Sequence, residues 1–162
     1  MKRSQVTLLV GVFLAAGLLV GSTAATGSTA AKQRTSIELK QAPFNVRGPF
    51  TVYPRGPGRV KFDTGTWTGS SPGPGSRGTR DGQDFEIVRG TDVLEGKRGT
   101  LTIRQSGRIY SAGHSTEAGL GTWSLIKGTG SYAGLKGGGR WAWALDEKEN
   151  GYLRYDGFLA PR

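Results

Sequence analysis

Few side chains in this sequence could do chemistry alone. His114 is the single imidazole. A nucleophilic triad would need it beside a serine and a carboxylate, because the imidazole takes the nucleophile's proton while an acid orients it. Ser111, Ser115 and Glu117 are its neighbours in the chain. No Gly-x-Ser-x-Gly elbow is available to expose a strained serine, however, so His114 reads as a solvated strand or turn residue. The chain has no cysteine. That excludes a disulfide scaffold and thiolate chemistry, and one histidine cannot make a multi-histidine metal site. Asp146, Glu147, Glu149 and Asn150 offer oxygen ligands of the kind calcium takes. They lack the acid-and-glycine spacing of a calcium loop, so a polar hairpin turn before Gly151 is expected and no metal is assigned. Gly128-x-Gly130-x-x-Ala133 has the outline of a dinucleotide fingerprint. That fingerprint opens a helix whose N-terminus meets the pyrophosphate. Here Gly134, Gly137, Gly138 and Gly139 follow, and no helix would hold such a run. No cofactor is expected.

The aromatic residues carry the stronger signal. Trp141 and Trp143 alternate with Ala142 and Ala144, so both indoles share one face of a strand. Two exposed indoles there would be an apolar patch, so that face is expected to be buried inside the fold. Trp141, Trp143, Trp123 and Tyr132 are the candidate lining of an interior ligand cavity. Tyr152, Arg154 and Asp156 share another strand face, opposite Leu153 and Tyr155. The apolar pair should point inward and leave the polar trio outside.

Strands must position these residues. Val60, Phe62 and Thr64, then Phe85 and Ile87, then Leu101 and Ile103, recur with period two against polar neighbours. Of 162 residues 28 are glycine and only 35% are hydrophobic, which disfavours helices. The phrase Gly, Thr, large apolar, hydroxyl recurs at Gly65-Thr66-Trp67-Thr68, Gly99-Thr100-Leu101-Thr102 and Gly121-Thr122-Trp123-Ser124. Each reads as a strand starting after a turn. A strand is also expected near residues 35–40. Residues 70–82, SSPGPGSRGTRDG, read as a mobile Pro/Gly loop. Short strands at even spacing make an all-β sandwich or barrel.

Residues 1–31 read as a secretory signal peptide, followed by one domain over 32–162. Lys2 and Arg3 precede an uncharged apolar run over 6–20, and small residues follow. The run is about 15 residues, short of the roughly 20 that span a bilayer. Cleavage is expected after Ala25 or Ala31, giving a secreted or envelope-associated protein. Formal net charge is +10. Losing Lys2 and Arg3 leaves 20 basic against 12 acidic residues, a formal +8. Weak, salt-dependent association with anionic envelope polymers would follow. The basic residues are scattered, so no specific nucleic acid is expected.

Residues 121–139, GTWSLIKGTGSYAGLKGGG, resemble a pattern of the allene oxide cyclase-like β-barrel superfamily, to which dirigent proteins and small secreted bacterial proteins belong. The matching residues are Gly128, Thr129, Gly130, Tyr132, Ala133, Gly134, Gly137 and Gly139. The resemblance covers roughly residues 99–159. It implies a single antiparallel eight-stranded β-barrel, sometimes a homo-oligomer, with a mostly apolar cavity and no cofactor or metal. Eight strands fit the available length. None of those families' catalytic residues maps onto a motif here. A small lipophilic ligand held inside the barrel is therefore the leading functional expectation. A cofactor-free cyclase or dirigent-type enzyme and a basic envelope-associated structural protein are the alternatives.

Overall fold

The computed structural model describes residues 31–42, 46–70, 75–111 and 116–162. The expected signal peptide, His114 and part of the 70–82 segment lie outside the described residues. The chain is all-β. Its strands are β1 (Gln33–Gln41), β2 (Arg47–Arg55), β3 (Asp63–Gly69), β4 (Arg77–Arg80), β5 (Gln83–Gly96), β6 (Gly99–Ser111), β7 (Glu117–Gly128), β8 (Leu135–Leu145) and β9 (Gly151–Pro161). Every pairing is antiparallel, and β9 returns to β1 while β3 pairs with β5. Eight strands, β1 to β3 and β5 to β9, therefore close a barrel without a free edge.

Period two sorts the side chains. Ile37, Leu39, Phe50, Val52, Leu94, Leu101, Ile103, Leu153, Tyr155 and Leu159 are buried on the inner face. The three Gly-Thr-apolar phrases put Trp67, Leu101 and Trp123 inside. Tyr152 is exposed and Arg154 bridges Glu38 and Asp156 on the outer face, as the alternation expects. Residues 60–62 do not continue that alternation as a strand. Val60 is buried because Gln33 clamps it, accepting from the Val60 amide at 2.8 Å and donating to its carbonyl at 3.1 Å. Phe62 is exposed and packs edge-on against Tyr53.

The 70–82 segment is not all loop. Arg77–Arg80 forms β4, paired with residues 83–86 of β5. The reason is the turn between them. Asp81 has φ 52° and Gly82 φ 77°. Two left-handed residues make a two-residue hairpin whose twist matches the strands, and Asp-Gly is a favoured sequence for it. β4 stands outside the closed barrel, extending the β5–β6 hairpin beyond one rim.

One end of the barrel is sealed. The 3₁₀ turn Gly130–Tyr132 carries Tyr132 inward, fully buried. Its hydroxyl donates to Asp63 Oδ2 at 2.9 Å, and the Arg98 amide donates to the same oxygen at 3.2 Å. Gly130 sits at φ 55° and Gly134 at φ 70°, so the glycine-rich motif is the turn that folds this plug across the base. Burial, with the bond to Asp63, pushes the Tyr132 hydroxyl upward, which keeps it a neutral donor.

Candidate functional site

The end away from this plug holds a cavity of about 210 Å³ between the ends of β1, β3, β6 and β8 and the middle of β5. Its walls are mainly three indoles, Trp67, Trp141 and Trp143, with Val88, Ile109 and Leu153. Gln41, Gln105, Asp92 and Glu117 supply polar groups. A wider groove of about 750 Å³ continues outward beneath β4 and shares Val88, Ile109 and Glu117 with it.

Glycines make room for the indoles. A Cβ on Gly107 would strike Trp141 Cζ2, one on Gly119 would come within 3.1 Å of Cζ3, and one on Gly121 would lie 2.5 Å from Nε1. Atoms around the indole thus touch three positions on β6 and β7. The ring is buried on a glycine shelf. Trp141 Nε1 donates to the Ser106 carbonyl at 3.2 Å, which fixes the ring's orientation. Trp143 sits over Gly151 in the same way. Trp67 reaches across to the end of β1, donating to the Lys40 carbonyl at 3.0 Å. Trp143 Nε1 is different. It is buried and has no hydrogen-bond partner among the described residues, a situation that costs about 1–3 kcal/mol.

Asp92 is the chemically notable residue. It is 1% exposed and projects inward from β5 between Val88 and Leu94. Tyr155, buried on β9, donates its hydroxyl to Asp92 Oδ2. The other oxygen, Oδ1, faces the inner surface of β3. It would lie 2.8 Å from a Cβ on Gly69, and so would the Trp67 ring edge. Burial pushes the Asp92 carboxyl up to about 6, against the lowering effect of the Tyr155 hydroxyl. Burial, with the Asp92 charge and bond, holds Tyr155 well above the ordinary phenol range. The pair therefore presents an acid that changes charge near neutrality, supported by a phenol that stays protonated. Such an acid can hydrogen-bond a polar group, balance a cation, or transfer a proton.

Trp141 and Trp143 line this cavity together. Trp123 and Tyr132 are placed elsewhere in the barrel. Trp123 lies deeper in the core, edge-on to Tyr155, with its Nε1 donating to the Asp156 carbonyl at 3.2 Å. Tyr132 belongs to the plug at the sealed end. All four share an inward face, but depth along the barrel axis separates them. Asp92 and Trp67 are site residues that the sequence did not single out. Their signal lies in the period. Stepping by two from Val88 reaches Gly90, Asp92 and Leu94, which places an acid among inward positions.

The acidic stretch at 146–150 is a turn, as expected. Asp146 Oδ1 accepts from the amides of Lys148 at 2.9 Å and Asn150 at 2.8 Å. Hydrogen bonds from Asn150 hold the Asp146 carboxyl below the usual carboxylate range.

No family model, curated protein or solved structure matches the chain.

Proposed function

We propose that this protein is an exported barrel that binds one small, largely apolar molecule in the cavity lined by Trp67, Trp141 and Trp143. The observation that carries this reading is a cavity walled by three indoles with one buried carboxyl at its side. Binding pockets have this composition, apolar walls with a few placed polar groups. The resemblance to the allene oxide cyclase-like barrels supports the same reading, because it implies an apolar lumen. Export rests on the leader pattern of residues 1–31. Intact-mass analysis of the extracellular protein should find an N-terminus at Thr26 or Lys32, and retained Met1 would reject cleavage.

The binding test uses ligands of a size the cavity can hold. A void of about 150 Å³ accommodates benzene, so 2-naphthol is a suitable probe for one of about 210 Å³. Titration should quench indole emission, saturably, and raise the melting temperature. An unchanged emission and melting temperature up to the solubility limit of 2-naphthol would reject the pocket as a small-molecule site. A second reading, a cofactor-free enzyme on a lipophilic substrate, is favoured by one feature. Burial pushes the Asp92 carboxyl, which lines the cavity, up to about 6, a useful range for a general acid or base.

A further inference from the structure

We infer that the cavity takes a ligand whose buried head is a small organic cation, an alkylated ammonium seated between Asp92 and the indoles. This rests on the small-molecule reading above and deepens it. The charge of the walls points there first. Asp92 and Glu117 are both acidic, and among the described residues the basic one at the cavity is Arg89. Arg89 is exposed and sits on the outward parity of β5, one position from buried Val88. Its charged head belongs to solvent, as long basic side chains usually arrange. The ion pairs among the described residues join Arg77 to Glu86, Arg80 to Asp81, and Arg154 to Glu38 and Asp156. None includes Asp92 or Glu117.

A buried carboxylate with a phenol donor and no cation is electrostatically incomplete. Taking a charge out of water is costly unless a counter-charge replaces the lost hydration. Among the described residues, Tyr155 from β9 donates to Asp92, the Trp67 ring and Asp92 Oδ1 both approach Gly69 of β3, and Gln105 from β6 and Glu117 at the start of β7 line the same cavity. No one of these can supply positive charge. An entering cation can.

The indoles point the same way. Trp141 packs on Gly107, Gly119 and Gly121 and lines the cavity with Trp67 and Trp143. Trp67 brings its ring edge up to the Gly69 position that Asp92 Oδ1 also approaches. Indole is the best of the aromatic partners for a cation, and desolvated sites strengthen the attraction. An anion would meet two carboxylates and the negative face of the ring. A neutral alcohol could bond Asp92 but would leave its charge uncompensated. The basic exterior makes the inversion of sign inside the cavity more pointed: a formal +10 chain would repel a cation at long range, so selectivity has to come from the pocket itself.

The test compares isosteres. Benzyltrimethylammonium and neopentylbenzene have the same shape and differ by one charge, and phenylacetate supplies the opposite charge. Each is titrated into the purified protein by calorimetry and indole fluorescence at pH 7.5 and pH 5. The cation should bind at least about tenfold more tightly than neopentylbenzene at pH 7.5, a difference in the range cation–π and charge pairing provide. Its affinity should fall about tenfold at pH 5, where only about a tenth of Asp92 stays ionised. In Asp92→Asn the preference for the cation should shrink and the pH dependence should vanish, with circular dichroism confirming the fold. Tighter binding of neopentylbenzene or phenylacetate than of the cation would overturn the inference and leave the small-molecule reading standing. Failure of all three to bind would remove both. Cation binding of equal strength at both pH values and in Asp92→Asn would show that Asp92 is not its partner.

Discussion

Replacing Trp141 by alanine should cost about 3–5 kcal/mol of stability, the range for removing a large buried aromatic side chain. The indole is 3% exposed and lies on three glycines. Nothing near it can move in to fill the space. Gly107, Gly119 and Gly121 have no side chains to extend, and their backbones are fixed by the β5–β6, β6–β7 and β7–β8 ladders. The site cannot collapse, which is the condition that makes large-to-small changes most costly. The Ser106 carbonyl also loses its indole donor. Approaching from the other side, Gly121→Val should be comparably damaging, since even a Cβ there would sit 2.5 Å from Trp141 Nε1. Urea unfolding of both variants against the wild type measures the effect. A loss below about 1 kcal/mol for Trp141→Ala, with unchanged emission of the remaining indoles, would show that the ring is not packed on the glycine shelf.

That shelf explains why the fold was largely legible in the sequence while the site was only half so. The period-two alternation in β6, β8 and β9 identifies which side chains turn inward, because strand geometry leaves no choice. Trp141, Leu153 and Tyr155 lie in the interior for that reason. Glycine content was legible as an argument against helix. Its specific use was not. That Gly107 and Gly121 stand opposite each other under one indole depends on the β6–β7 register. Register is a tertiary fact, set by pairing across the sheet and shifted here by an irregularity between Thr102 and Ile103.

Depth along the barrel axis was hidden for the same reason. Trp123 and Trp141 both point inward, yet one is packed in the core and the other lines the cavity. Strand parity gives the face; only stagger gives the level. β4 was hidden differently. The Asp81-Gly82 pair is a strong local hairpin signal, but it lies inside a Pro, Gly and Ser composition that reads as loop. Asp92 was inconspicuous because the acids that stand out in the sequence are clustered, at 146–150, or near the lone histidine, at Glu117. A lone acid at an inward position in a run of Thr, Val and Leu carries more information than an acidic turn, because burial is what alters its chemistry.

Asp92→Asn should stabilise the protein at pH 7.5, by roughly 2–3 kcal/mol, and leave it nearly unchanged near pH 4. The sign follows from proton linkage. Burial raises the Asp92 carboxyl from 3.8 to about 6 in the folded state. The folded chain therefore holds this proton more tightly than the unfolded chain does. That contribution is fully present below about pH 4 and is lost as pH rises through about 6. A rise of that size corresponds to about 3 kcal/mol. Asparagine is neutral at every pH, nearly isosteric, and can still accept from the Tyr155 hydroxyl. The difference in stability between variant and wild type should then open between pH 4 and pH 7 and level off above. Chemical denaturation of both proteins across that range measures it directly, and the subtraction removes every other titrating group. A variant destabilised equally at pH 4 and pH 7.5 would mean that Asp92 acts as a structural hydrogen-bonding group and carries no electrostatic penalty. The expected outcome has the opposite meaning. A residue whose replacement by its neutral isostere strengthens the fold at neutral pH is not there for stability. Strained ionisable groups of this kind concentrate at functional sites. Here the carboxyl lines a cavity walled by three indoles.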